Sequence, residues 1–416
     1  MQLQNKNIGI WGFGSVGKSA LSFLSDLGNT CQIMDNRTLN DNETELINSY
    51  NASFLSQNSI EAFFNNNDYI LASPGIDITQ YKTKATFICE LDIFCQFWHK
   101  PIIAITGTVG KTTITTILGD LLNKKMDALV GGNIGTPMLD LIHKQKKADL
   151  IVLELSSWQL EHVQQFKPDI ALITNIYPNH LDRHITIQHY IQAKLNICIN
   201  QTEQQVTILP SVLKSTIKQY GTQSKKIWIS DKTDNKIDTI KLPTCTFAQN
   251  WFFIIEVLKQ LNLPISLIDN YKIQIEHRLE YINTWNEISF YNDSKSTTPA
   301  STLAALQQFD PTKTILFLGG LSKGIDRSFF IKQLPRKLCY VICFGQESEH
   351  LKQLCNLNNI PSTAYDNLNF AFKHSISIAK PGNIILFSPA GSSFDLYENY
   401  QKRGNHFKQL VTYPYE

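Results

Sequence analysis

At 416 residues the chain is too long for one ordinary hydrophobic core, so two or three domains are expected. Its 38 basic and 36 acidic residues leave a net charge of +2, which gives no basis for nucleic acid or an acidic membrane as the main partner. The eight cysteines form no C-x-x-C pair and no stapled block, and read as reduced, mostly buried thiols.

Met1 to Asn7 runs straight into a strand, leaving no room for a signal peptide. No apolar stretch approaches membrane-spanning length, so a soluble, cytoplasmic protein without membrane insertion is expected. Residues 7 to 11 form the strand, and Ala20, Leu21, Phe23, Leu24 and Leu27 give the helix after it an apolar side. Between them lies Gly12-x-Gly14-x-x-Gly17, and the next strand, Cys31 to Met34, ends at Asp35. That order is a nucleotide-binding βαβ unit with an acid available to a ribose or base. The same turn spells a strict phosphate loop, Gly12 to Lys18-Ser19. A third strand, Tyr69 to Ala72, delivers Ser73-Pro-Gly75-Ile76 to the carboxyl edge of the sheet, and residues 82 to 100 read as a connection.

Residues 101 to 113 carry the strongest signal. The apolar run Ile102 to Ile105 is a buried strand, and Gly107 and Gly110 then let backbone N–H groups turn toward an anion. Ile114, Ile117, Leu118, Leu121 and Leu122 follow at helical spacing, so the loop opens onto a helix N-terminus. Lys111 would meet the β- and γ-phosphates, with the Thr112 hydroxyl on Mg²⁺. Ile105 stands where the usual pattern has its first glycine, so spelling favours the Lys18 loop and context the Lys111 loop.

Strands at Leu150 to Leu155 and Ile170 to Thr174 come next. Glu154, inside an apolar run, is costly to bury unless paired or metal-bound. His180 follows a strand end of the same sheet. Lys194 shares a helical face with Ile187, Ile191, Leu195 and Cys198 in a helix from about Thr186 to Asn200. Two readings stay open: the stem packs while the ammonium reaches water, or the amine is buried, neutral, and able to take up CO₂ as a carbamate metal ligand.

Between 201 and 275 the signal weakens to short strands and an aromatic helix, Phe247 to Leu261. A hairpin follows, Tyr281 to Trp285 and Ile288 to Tyr291, then Asn292 to Pro299 caps a helix. Strands at Thr314 to Leu318, Tyr340 to Phe344 and Asn383 to Phe387 alternate with helices, a second open α/β sheet.

Over nearly its whole length the chain resembles the Mur ligases. The matching stretches are Thr106-Gly-Thr-Val-Gly-Lys-Thr-Thr113, Gly132-Asn-Ile-Gly135, Glu154-Leu-Ser-Ser-Trp-Gln159, Asn179-His-Leu-Asp-Arg183, Ala193-Lys194-Leu195, His277-Arg278, Asn292 to Thr297, and Ser388 to Phe407. The resemblance settles the phosphate loop on Lys111. It implies an α/β fold of three domains: an N-terminal Rossmann-like nucleotide domain (1–93) for a UDP moiety, a central P-loop ATPase with a mostly parallel sheet (94–275), and a C-terminal Rossmann-like domain (276–416).

The implied reaction joins D-glutamate to UDP-N-acetylmuramoyl-L-alanine at the expense of ATP, through an acyl phosphate, in a monomer. By the same resemblance, Gly107, Thr108, Gly110, Lys111, Thr112, Thr113, Arg278 and Asp293 would serve ATP. Thr112 and Glu154 would hold one Mg²⁺, with His180 and carbamylated Lys194 at a second. Gly14, Ser15, Asp35, Arg37, Gly75 and Asn133 would contact the UDP substrate, and Thr297, Lys323, Ser393, Phe394 and Tyr400 D-glutamate.

The chain departs from the family pattern at Val109, Asn179 and Tyr400, lacks an acid near 321 or 322, and has Gln249 and Phe253 in a region that otherwise helps hold adenine. Competing readings are another ligase of the superfamily, against which the 393–407 stretch argues, and an NAD-binding regulator built on Gly12-x-Gly14-x-x-Gly17. The regulator leaves Lys194, His180 and the third segment without tasks.

Overall fold

The computed structural model of the chain describes residues 2–230, 248–273 and 275–412. It divides into two compact units, Met1–Ile176 with Ile191–Tyr271, and Tyr177–Tyr190 with Lys272–Glu416.

The first unit contains two sheets. The first comprises β1 (Asn7–Trp11), β2 (Thr30–Asp35), β3 (Ser53–Ser56), β4 (Tyr69–Ala72) and β5 (Thr86–Ile88), all parallel, in the order β3-β2-β1-β4-β5. The chain switches sides of β1 on reaching β4, so the turns after β1 and β4 flank the point where open sheets take ligands. Those turns touch: the Ser73 hydroxyl donates to the Gly12 carbonyl at 3.2 Å. Tyr69–Ala72 is the fourth strand, not the third; the mostly exposed β3 precedes it and has no apolar run to announce it. The stretch 82–100 is more than a connection, since it supplies β5 and the helix Glu90–Phe97.

That helix crosses the 93/94 position expected to separate the first two domains. Its buried Asp92 carboxylate accepts the backbone N–H groups of Gln164, Gln165 and Phe166 at 3.0, 2.8 and 3.1 Å. Ser19 of the helix Ser15–Asp26 likewise donates to Asp140 at 2.6 Å. These four bonds join helices packed with the first sheet to segments that belong with the second.

The second sheet is parallel, β6 (Ile102–Thr106), β7 (Ala128–Gly132), β8 (Leu150–Glu154), β9 (Ile170–Ile173), β10 (Val206–Pro210) and β11 (Lys225–Ile229), in the order β11-β10-β9-β6-β8-β7. β6 lies inside it and is buried along its whole length, which is why its sequence is continuously apolar. The helix Ala248–Gln260 buries Trp251 and Phe253 completely; the expected start at Phe247 lies outside the described residues, as does Cys245. The remaining cysteines are free thiols. The helix carrying Lys194 covers Ile187–Leu195 and then tightens into a 3₁₀ turn, Asn196–Cys198, instead of running on to Asn200. There the Asn196 amide donates to the carbonyls of Leu160 and Glu161 at 3.0 and 3.3 Å, anchoring the end.

The second unit is built on a third sheet, β12 (Glu280–Trp285), β13 (Ile288–Asn292), β14 (Thr314–Gly319), β15 (Tyr340–Phe344), β16 (Ser362–Tyr365) and β17 (Ile384–Phe387), ordered β12-β13-β17-β14-β15-β16. Only its β12–β13 hairpin is antiparallel. Thr298 caps the helix Pro299–Leu306 by accepting the Ser301 N–H, with Pro299 in the first turn as the sequence predicts. Phe407 of the helix Tyr400–Thr412 stacks on Phe387 with ring centroids 4.4 Å apart, fixing that helix to the sheet. No helix among the described residues is long and apolar enough to cross a membrane.

Candidate active site

The turn after β6 is held open by its neighbours. Gly107 and Gly110 take φ of +145° and +92°, a region that favours glycine, and a Cβ on Gly107 would collide with the Thr174 hydroxyl. The Thr174 hydroxyl and the Asn175 amide donate to the Val109 carbonyl at 2.6 and 3.0 Å, while the Val109 N–H donates to Asn175 Oδ1 at 2.9 Å. The backbone of Val109 is therefore gripped on both sides, whatever its side chain. Lys111 opens the helix Lys111–Leu122, and its Nζ donates to the carbonyls of Gly107 and Thr108 at 2.8 and 3.2 Å.

Lys194 arrives at the same place from the other side. Its side chain is buried, and Nζ donates to the Gly107 carbonyl at 2.9 Å, with the Thr106 hydroxyl at 3.5 Å. The ammonium does not reach water. Burial first, then the charge of Lys111, push its pKa well below the ordinary lysine value; Glu154 pulls the other way.

Glu154 ends β8 in register with Ile105 of β6 and is 1% exposed; its Oε1 accepts the Asn133 side-chain amide at 2.8 Å. Thr112 is buried in the first turn of the helix after the loop, beside Thr113. A hydroxyl and a carboxylate are hard oxygen donors of the kind Mg²⁺ prefers, so this part of the chain fits such an ion. Among the described residues no three His, Cys, Asp or Glu side chains form a metal cluster.

In the first sheet, Asp35 accepts the N–H groups of Phe13 and Arg37 at 2.6 and 3.1 Å, which ties β2 to the glycine turn. Arg37 forms a two-pronged contact with Glu43 at 3.0 and 2.9 Å. Lys18 joins the same carboxylate at 2.8 Å, and these partners hold the Glu43 pKa down at about 2. Gly14 has open space around it and Ser15 starts the helix, while Gly75 lies in the turn after β4.

The second unit holds the remaining candidates. His180 sits at φ +53° before the helix Leu181–His184, its N–H on Asn179 Oδ1 at 3.0 Å. Asp293, the residue after β13, is buried and accepts from Ser388 Oγ at 2.7 Å and the Leu279 N–H at 3.2 Å. Burial raises its pKa, while bonds from Ser296 and Ser388 and the charge of Arg278 oppose the rise. Ser393 is buried, Thr297 and Tyr400 are half-buried, and Phe394 is 70% exposed. Lys323 adopts φ +54° in the turn after β14, and Lys295 lies 5.3 Å from the Tyr400 ring.

Sequence reasoning missed the residues that hold these loops. Thr174 and Asn175 were legible only as polar residues at a strand end. Arg327 and Arg403, 3% and 0% exposed, are not singled out by the sequence: Arg403 enters only as part of the Ser388 to Phe407 stretch, and the carbonyls of Ala390 and Gly391 that the two arginines hold carry no side-chain pattern.

A glycine turn between a parallel strand and a helix, with a buried acid at the end of the adjacent strand, is the arrangement of a P-loop nucleotide-binding α/β protein. The chain belongs to the Mur ligase family: the Mur ligase MurD-like N-terminal domain matches residues 6–93, the Mur ligase middle domain 105–273, and the Mur ligase glutamate ligase domain 277–391. It is 31% identical to UDP-N-acetylmuramoylalanine--D-glutamate ligase of Fervidobacterium nodosum, over 96% of this chain and 97% of that one. With the protein of the same name from Lawsonia intracellularis it shares 32% identity, over 97% and 93%. Among solved structures, MurF of Acinetobacter baumannii aligns with TM-score 0.60 at 16% identity, covering 91% of each chain. MurF ligase of Thermotoga maritima in complex with ADP aligns at 0.58 and 16%, covering 91% of this chain and 96% of that one. These structural likenesses concern the fold.

Proposed function

We propose that the chain is an ATP-dependent amide ligase that adds D-glutamate to UDP-N-acetylmuramoyl-L-alanine in the cytoplasmic synthesis of peptidoglycan precursors, acting as a monomer. The observation that carries this reading is the end-to-end match to relatives that bear that activity in their names. The proposed domain limits are 1–93, 94–275 and 276–416.

In this reading ATP phosphorylates the alanine carboxylate, the D-glutamate amine attacks the acyl phosphate, and phosphate leaves the tetrahedral intermediate. Lys111 and the amides of residues 107 to 113 stabilise charge on the transferring phosphoryl group. Thr112 and Glu154 would hold one Mg²⁺, and His180 with Lys194 carbamate a second; when bound, the ions neutralise charge on the phosphate oxygens. Lys194 supports the carbamate because a buried amine beside another cation favours the neutral form, and only that form forms the N–C bond to CO₂, releasing a proton. The family resemblance assigns Arg278 and Asp293 to ATP as well. Gly14, Ser15, Asp35, Arg37, Gly75 and Asn133 serve the UDP substrate, and Thr297, Lys323, Ser393, Phe394 and Tyr400 serve D-glutamate, whose two carboxylates need donors.

The test is a coupled phosphate-release assay with ATP and UDP-N-acetylmuramoyl-L-alanine, offering D-glutamate beside L-glutamate, L-lysine and diaminopimelate. Phosphate release only with D-glutamate is expected. Preference for another amino acid would overturn the acceptor assignment.

A further inference from the structure

Three loops of the second unit meet at one buried guanidinium. Arg327 opens the helix Arg327–Lys332 and is 3% exposed. Its Nη2 donates to the Gly320 carbonyl at 2.8 Å, in the turn after β14; its Nη1 donates to the Ala390 carbonyl at 2.7 Å, in the turn after β17. Its Nε donates to Glu347 Oε2 at 2.9 Å, in the turn after β15. The other oxygen of Glu347 accepts the Ser322 N–H at 2.8 Å. Glu347 thus brings a carboxylate to the loop where the sequence lacks the acid usual near 321 or 322. Leu321 and Ser392 exchange backbone bonds at 3.0 Å in both directions, and Arg403 holds the next carbonyl, that of Gly391, at 3.0 Å.

The two loops held in this way carry Lys323 and Ser393. Lys323 is one residue beyond Ser322 and sits in a left-handed conformation, φ +54°, which the surrounding bonds must maintain. Ala390, at φ +60°, is another non-glycine residue in that region, and its carbonyl is the one Arg327 takes. A fork of five donors in a fixed plane can span three acceptors in separate segments; a lysine ammonium cannot reproduce that planar geometry. Arg327 and Glu347, with the Leu321–Ser392 bonds, therefore fix the backbone spacing of the two loops from which Lys323 and Ser393 project.

We propose that Arg327 and Glu347 are positioning residues for the amino-acid substrate: they fix the distance between the two loops that grip it, and with it the choice between D- and L-glutamate. This rests on the reading of Lys323 and Ser393 as D-glutamate contacts. Neither residue is among those read as substrate contacts; both act through the backbone of the two loops. Their effect falls on amino-acid affinity and stereoselectivity, because two carboxylates on one short skeleton can be gripped together only at a fixed donor spacing.

The experiment uses the full-length protein with Arg327→Gln, Arg327→Lys and Glu347→Gln, measuring KM for D-glutamate, ATP and the UDP substrate, the D- to L-glutamate ratio of kcat/KM, and thermal stability. Arg327→Gln is expected to raise the D-glutamate KM about tenfold or more and to narrow the D/L ratio, with the ATP KM within about twofold. Glu347→Gln should shift both in the same direction by less, and Arg327→Lys should restore only part of the loss. Equal rises in the ATP and D-glutamate constants, or an unaltered D/L ratio in a folded variant, would overturn the proposal. Should Arg327→Gln fail to fold, Glu347→Gln decides alone, since that side chain is 21% exposed and tolerates an isosteric change. A wild-type protein that turns over no D-glutamate would instead defeat the functional reading, so the two failures are distinguishable.

Discussion

Lys111 and Lys194 donate to one and the same oxygen, the carbonyl of Gly107, at 2.8 and 2.9 Å. Two cationic side chains on one carbonyl repel each other unless one gives up its proton, and the fully buried one is the cheaper to neutralise. In the proposed reading this separates their tasks: Lys111 would remain a charge for phosphate, and Lys194 would be the neutral amine that takes up CO₂.

Lys111→Ala is expected to lower kcat at least about a hundredfold while leaving the fold intact, because the side chain's hydrogen bonds to Gly107 and Thr108 stay within its own loop. Lys18→Ala provides the contrast. Lys18 is paired with Glu43 at 2.8 Å, and the proposed reading gives it no part in holding phosphate, so ATP-dependent turnover should persist. Loss of ATP binding on replacing Lys18, measured by nucleotide titration, would move the site to the other glycine turn.

Lys194→Ala should be nearly inactive and partly rescued by acetate, with chloride at matched ionic strength as control, since a small carboxylate can supply the missing oxygen. A merely packed lysine would give modest loss without rescue. Near-normal activity of the unrescued variant would reject the carbamate.

Asn175→Ala removes both side-chain bonds to Val109 and should raise the ATP KM by about tenfold with little change in the D-glutamate constant. Gly107→Ala should be worse, since its Cβ would strike the Thr174 hydroxyl. Steady-state kinetics at saturating co-substrate separates the constants; an unchanged ATP KM would show that the loop holds itself.

Glu90 offers a pH test away from the reaction. Its carboxyl is buried without a hydrogen-bond partner among the described residues, and burial, then the nearby charge of Asp140, push its pKa from the ordinary 4.5 up to about 8. The folded state keeps a proton that the unfolded state has lost, so stability falls as pH rises from about 4.5 to 8 and this contribution levels off above. Glu90→Gln should flatten that slope, by a few kcal/mol across the window at most, read from denaturant unfolding at several pH values. Parallel curves for the two proteins would refute the shift.

What could be read in the sequence follows burial. β6, β8 and β14 are covered along their length, so each contains four consecutive apolar residues with polar or glycine positions only at its ends; the edge strands β3, β7 and β16 are partly exposed or end in glycine and leave no such trace. Helical spacing placed Lys194 on an apolar face but could not say what it meets, because Gly107 lies 87 residues away. Buried arginines are harder still. Two of the three acceptors of Arg327 are backbone carbonyls, which every residue has, and the third, Glu347, lies 20 residues away, so no local pattern of side chains points to it.

The bond of Asp92 to Gln164, Gln165 and Phe166 bears on how the chain can be cut. A fragment ending at residue 93 would stop halfway through the helix Glu90–Phe97 and strip the carboxylate of the amides that satisfy it. A fragment beginning at 94 would leave those amides without an acceptor in its place. These bonds tie the first two sheets to each other, so the amides at 164 to 166 are expected to exchange with solvent only when the helix Glu90–Phe97 comes away from them.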